Sequence, residues 1–110
     1  MAKTELKRTE SGEIKVIGQL VIDEVMPLLK SSKAYFNEEG SELVFDMTEV
    51  AQSDSAGVAL LVEWMAMAKV SGQAISFKAL PKQMLDIAQV SGVDKLLPLE
   101  FWLKQQSKTK

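Results

Sequence analysis

Polar and apolar residues alternate along Glu13-Ile14-Lys15-Val16-Ile17-Gly18-Gln19-Leu20, and the β-branched content of that stretch predicts a strand bent near Gly18. Beyond it, Val25, Leu28 and Leu29 recur at helical spacing behind Asp23, which can cap a helix. Pro27 then falls in or near the first turn, whose amides need no intrahelical partner. The helix reaches about Tyr35 or Phe36, Asn37-Glu38-Glu39-Gly40 makes a turn, and Leu43-Val44-Phe45-Asp46-Met47 reads as a short strand buried on both faces. From Val58 to Val70 the chain is largely apolar and free of glycine and proline, so it forms the clearest helix of the sequence, starting near Ser55 and closed by Ser71-Gly72. Residues Ala74 to Ala79 alternate as a strand, Pro81 opens a helix carrying Met84, Leu85 and Ala88, and Ser91-Gly92 ends it.

The order is β, α, β, α, β, α, with room for a short last strand around Leu96 to Leu99. Such alternation predicts an α/β fold: one small mixed sheet of about four or five strands, largely parallel in its later strands, with helices packed on it. A chain of 110 residues that is 46% hydrophobic supports one domain with one core. That core spans about residues 13–100, between a polar opening and the basic tail Lys104 to Lys110, and contains no internal repeat or linker.

Composition narrows the chemistry. There is no cysteine and no histidine, which removes disulfides, thiolate metal sites, imidazole bases and every triad built on them. No carboxylate cluster has metal-ligand spacing and no phosphate-binding glycine signature occurs, so no metal, cofactor, small-molecule substrate or enzymatic activity is expected. A formal net charge of -2, with basic residues not interleaved with aromatics, argues against nucleic acid. The first residues lack an apolar signal core and the longest apolar run is too short to span a bilayer, so a cytoplasmic protein that meets a membrane only through a partner is expected.

The informative segment is Ser53-Asp54-Ser55-Ala56-Gly57. Ser53 or Asp54 can cap the long helix, while Ala56 and Gly57 keep its first turn free of bulk. Helix amides left open there, at the positive end of the dipole, favour an anionic group or a partner's carbonyl or carboxylate. On spacing alone an ordinary helix start explains the same residues. Along the helix, Val58, Leu61, Val62, Met65 and Ala68 supply the stripe that a sheet requires, leaving Leu60, Trp64 and Met67 on a flank. That flank reads either as a docking surface continuous with Ser55 or as a patch covered by Phe101, Trp102 and Leu103 of the chain's own end.

Taken together, Gly18-x-Leu20 before the first helix, Phe45-Asp46 on the buried strand, Asp54-Ser55-Ala56-Gly57 opening the long helix, and Met84-Leu85 with Ser91-Gly92-Val93 closing the third resemble the STAS family, the fold of anti-sigma factor antagonists. The resemblance implies a small sheet with helices on one side and a protein-binding surface around Asp54, Ser55, Ala56 and Gly57. Members switched by phosphorylation carry a hydroxyl directly before the glycine, where this chain has Ala56; Ser55 and Ser53 are the hydroxyls left to take phosphate. The hydroxyl-Ala-Gly form, with Asp23 and Pro27-Leu28, resembles the MlaB-type STAS subunit of the bacterial ABC transporter that maintains outer-membrane lipid asymmetry. That implies a non-catalytic subunit bound to the transporter's cytoplasmic ATPase, at the inner membrane through that partner, with Ser55 as the residue that matters. The alternative is an anti-sigma factor antagonist or other phospho-switched regulator.

Overall fold

Four strands and three α-helices form the protein in the computed structural model, which describes residues 4–97: β1 (Glu5–Arg8), β2 (Ile14–Leu20), α1 (Ile22–Ser32), β3 (Glu42–Ser53), α2 (Ser55–Ser71), β4 (Ala74–Lys78) and α3 (Lys82–Ser91). Single 3-10 turns follow α1 at Lys33–Tyr35 and α3 at Val93–Lys95. The sheet order is β1-β2-β3-β4, antiparallel at the first pair and parallel at the next two. Each parallel step adds a strand on the same side of the last. Right-handed crossovers therefore put α1 and α2 on one face, with α3 beside α2.

β1 supplies the fourth strand, and it lies in the opening that the sequence pattern leaves as a polar segment. Only Leu6 is apolar in Glu5-Leu6-Lys7-Arg8, so no alternation announces a strand. It pairs with β2, Leu6 opposite Val16, and its charges suit an edge whose free backbone must not recruit another chain. The sheet thus begins at Glu5 rather than near residue 13. At the other end, the expected strand at Leu96 to Leu99 is not present in its described part: Leu96 lies in a turn and Leu97 in a bend, with the Leu97 side chain buried, and Pro98 and Leu99 lie outside the described residues.

β3 is longer than expected, because two bulges hide its second half. Lys15 pairs with Asp46 but Ile17 with Glu49, and Gly18 pairs with Val50 but Gln19 with Gln52, so β3 carries an extra residue at each place. Inward positions therefore run Leu43, Phe45, Met47 at period two, then jump to Val50 and Ser53. A search for strict alternation stops at Met47.

The core centres on Phe45. Its ring stacks on Trp64 at 4.3 Å between centroids and lies 6.0 Å from Phe77 and 6.2 Å from Phe36. Trp64 is fully buried, and its one polar atom is satisfied: Nε1 donates to Ser32 Oγ at 2.8 Å, and that hydroxyl donates in turn to Leu29 O. This corrects the expected phase of α2. Trp64 packs onto the sheet and Leu60 is buried at the floor of the cleft toward α1, so neither is an exposed flank, while Val62, assigned to the stripe, is 39% exposed. The inward line runs through Gly57, Val58, Leu60, Leu61, Trp64 and Ala68. Because α2 is apolar on nearly every face and flanked by two helices, periodicity could not choose its phase; the aromatic pair beneath it did. The cover on Trp64 comes from Ser32, Phe45 and Phe77, whereas Phe101, Trp102 and Leu103 lie outside the described residues.

Two details of α1 also differ from expectation. Val21, not Asp23, stands at the N-cap, and Asp23 sits with Glu24 in the first turn, where a carboxylate complements the dipole. Pro27 lies in the helix interior on the exposed side, where water can reach the carbonyl that its missing N–H leaves free.

Replacing Trp64 by Ala is expected to cost about 3–5 kcal/mol, as large core truncations do. Trp64→Phe should cost clearly less, since it keeps the stack and loses only the Ser32 bond. Urea unfolding of both variants measures this, and near-native stability of Trp64→Ala would contradict the assignment of Trp64 to the core. At the end of β4, Ala79 holds a left-handed φ of 59°, which disfavours any residue with a Cβ. Ala79→Gly should therefore raise stability by about 0.5 kcal/mol, the strain relieved slightly exceeding the added chain entropy.

Candidate functional site

The C-terminal ends of β2 and β3 and the starts of α1 and α2 meet at one point, and a few polar groups join them. Leu20 and Ser53, the last residues of the two strands, are register partners. The Leu20 carbonyl accepts from the Asp54 N–H and from the Ser53 hydroxyl, each at 3.2 Å. Asp54 then caps α2, its Oδ1 accepting from the Ala56 N–H at 2.8 Å while its backbone carbonyl accepts from the Gly57 N–H at 3.0 Å. Its second oxygen, Oδ2, accepts from the Ile22 N–H at 3.2 Å. One carboxylate thus closes the N-termini of both helices, and of the two cap candidates Asp54 is the one used.

That geometry overturns one expectation. The amides of Ala56 and Gly57 are already paired, and a carboxylate already occupies the positive ends of two helices. The turn is therefore no open anion cradle.

Gly57 is required by closeness, not by an unusual backbone angle. A Cβ built on it would lie 2.7 Å from the Leu20 carbonyl oxygen and 2.9 Å from Leu20 Cβ, and would also strike Ser53 Oγ. Gly57 is buried against the sheet, so it lets α2 start where it does rather than clearing space for a partner.

Gln83 is the participant that sequence reasoning missed. β4 ends with Lys78 opposite Asp46, so the upper part of β3 has no strand neighbour on that side. At its last residue a side chain substitutes: Gln83 Oε1, from the first turn of α3, accepts the Ser53 N–H at 2.9 Å. Nothing in the local pattern around either residue signals a bond across thirty positions.

The candidate residues therefore separate by direction. Asp54 and Gly57 brace the turn, Leu60 and Trp64 belong to the core, Ala56 is half-buried toward α1, and Met67 is half-buried where Leu29 and Phe36 face α2. Ser55 alone points outward: it is exposed, and its hydroxyl makes no hydrogen bond among the described residues. It lies at the mouth of a shallow α2–α3 concavity of about 340 Å³, walled by Val58, Val62, Ile87 and Val93. Among the described residues no group of acidic side chains is placed to hold a metal ion, and no helix is long and apolar enough to cross a membrane. On the opposite, helix-free face of the sheet, partial burial pushes the Asp46 carboxyl up, but two bonds from Thr48 and the nearby Lys78 and Lys15 outweigh it and hold it below its ordinary range.

Comparison with known proteins agrees with this arrangement. The solved structure of the anti-sigma factor antagonist SpoIIAA in its unphosphorylated form superposes with a TM-score of 0.64, covering 97% of each chain at 16% sequence identity, so the two share a fold. No curated protein sequence matches the chain. Residues 5–98 match the family model described as the Mlab, STAS domain, which takes in β1 as well as the core elements, and the chain belongs to that family.

Proposed function

We propose that this chain is a non-catalytic subunit that docks, through Ser55 at the start of α2, onto the cytoplasmic ATPase of an ABC transporter serving phospholipid transport and outer-membrane lipid asymmetry. It is cytoplasmic in this reading and reaches the inner membrane only through that partner. The observation that carries the proposal is the contrast at the turn: an outward hydroxyl with no bond among the described residues, on a backbone braced from two strands and two helices. Such a group is preorganised to bond a partner at little entropic cost. The Mlab family description supports the transporter class, and Ala56, in the place where switched relatives carry a phosphorylatable hydroxyl, weighs against a phospho-switch. Partner affinity arises here from buried area and hydrogen bonds; the sequence holds no histidine or cysteine for catalysis.

A second reading, an anti-sigma factor antagonist, has one observation in its favour: the free, exposed Ser55 hydroxyl is accessible to a kinase. It predicts that Ser55→Asp or Ser55→Glu mimics one regulatory state.

Co-purification with the ABC ATPase subunit of the same organism, quantified by titration calorimetry, tests the proposal. Ser55→Thr should bind as the parent does, Ser55→Ala should bind about tenfold more weakly, and Ser55→Arg should not bind detectably, because its bulk and length hold the partner away from the turn. None of the three should lower the melting temperature, since the Ser55 side chain holds no cap. An unimpaired, folded Ser55→Arg variant sinks the site assignment. The bracing residues should behave in the opposite way: Asp54→Ala is expected to cost about 1–2 kcal/mol as a lost cap, and Gly57→Ala about 1–3 kcal/mol as an overpacked contact against a backbone carbonyl. Chemical denaturation measures both.

A further inference from the structure

Between α1 and α2 runs an apolar groove that the fold leaves uncovered. Its walls are Ile22, Met26 and Leu29 on α1 and Ala59, Glu63 and Met67 on α2, enclosing two adjoining concavities of about 320 and 430 Å³. Ile22 and Met26 are 68% and 57% exposed, far beyond what apolar residues on a solvated helix face need. The groove follows α2 from Ala56 to Val70, about 21 Å at the helical rise per residue. It opens at the first turn of α2, at Ala56, with Ser55 on the α3 side of the same turn.

Three properties identify the occupant. Few polar atoms line the groove, so an extended segment lying in it would leave its own N–H and C=O groups unpaired, whereas a helix satisfies them internally. Ala59 and Ala66 leave room for a third helix to approach α2 closely. Glu63 is the only charged residue lining the concavity at the Ile22 end, and it makes no ion pair or hydrogen bond among the described residues. A second copy related by a twofold axis along this groove would oppose Glu63 to its own equivalent, and an anionic lipid headgroup would meet the same repulsion. A cation would be attracted.

We propose that this groove receives one amphipathic helix of the ATPase subunit, set in register by an Arg or Lys of that helix against Glu63. The apolar walls supply buried area, and Glu63 selects against helices with the wrong charge pattern. Lys33, at the far end of the groove, favours an acidic residue at that end of the incoming helix and so fixes its direction. The inference rests on the function proposed above.

Calorimetric titration of the ATPase subunit at low and high salt tests it. Met26→Glu and Glu63→Lys, both at exposed positions, should each weaken binding tenfold or more with the circular dichroism spectrum unchanged. Glu63→Gln should weaken it less and flatten its salt dependence. If the parent binds, Ser55→Arg blocks binding and the two groove variants bind as tightly as the parent, the function stands and the groove assignment falls. If the parent does not bind the ATPase, the proposed function falls, and a synthetic fourteen-residue helix with a leucine face then tests the groove alone. Amide shifts at residues 22–29 and 59–67 caused by a peptide with a central Arg, absent with a central Glu and reversed in preference by Glu63→Lys, support the groove; no preference between the peptides overturns it. A dimer of the isolated protein in sedimentation, dissociated by Met26→Glu, would make a second copy the occupant and also overturn it.

Discussion

The close approach of α2 to the end of β2 is the constraint on which the rest of the structure depends. Gly57 sits under the Leu20 carbonyl with no space for a methyl group, and that carbonyl in turn holds Asp54 and Ser53. Once α2 starts there, the Asp54 carboxylate lies within reach of both its own helix and the Ile22 amide, so α1 is fixed by the same residue. Orphan amides at two helix starts are satisfied by one side chain, which leaves the adjacent Ser55 nothing internal to do. Its availability to a partner is a consequence of how fully its neighbours are used.

The long third strand sets the distance between this junction and the aromatic core. Phe45 lies in the part of β3 paired on both sides, where Trp64 and Phe77 close over it; Ser53 lies beyond the end of β4, where a glutamine side chain stands in for a missing strand. The two bulges let one strand serve both places by rotating its inward face between them. The Asp54 turn is thereby carried on a strand end braced by β2 yet projects past the end of β4. Because every parallel crossover proceeds in the same direction, the sheet has no point at which neighbouring connections diverge to opposite faces, the feature that opens ligand crevices in doubly wound folds. Surface recognition rather than an enclosed pocket is what this topology offers.

That placement also gives the outer face of the helical layer its character. Trp64 is committed to the core and Leu60 is buried, so on the α1 side of α2 the surface comes mainly from Ala59, Glu63, Ala66 and Met67, together with what α1 presents. The resulting groove is apolar but carries, at the Ile22 end, the Glu63 carboxylate, which has no partner among the described residues. Apolar area gives affinity without direction, and charged groups placed along it, Glu63 and Lys33, can give direction.

Much of this architecture was legible in order and composition. The alternation in β2, the glycine-free apolar run of α2, Pro81 before α3 and the Asp54-Ser55-Ala56-Gly57 turn each carry a local signal, and together they led to an α/β fold, to Asp54 as one of two cap candidates and to the STAS family. What the sequence could not express is whatever depends on a neighbour distant along the chain. β1 is a strand only because β2 offers it a ladder, since its own residues are charged. The second half of β3 is hidden by bulges, which exist only as a mismatch between two strands. α2 is apolar all round, so its phase, and with it the burial of Trp64 and Leu60, was chosen by Phe45, Phe77 and Ser32. The bond from Gln83 to Ser53 has no local trace at all. Local periodicity determines which elements form and in what order; which side each one turns inward is decided by packing, because an apolar residue gains the same burial against any surface and only shape and unpaired polar groups distinguish among them.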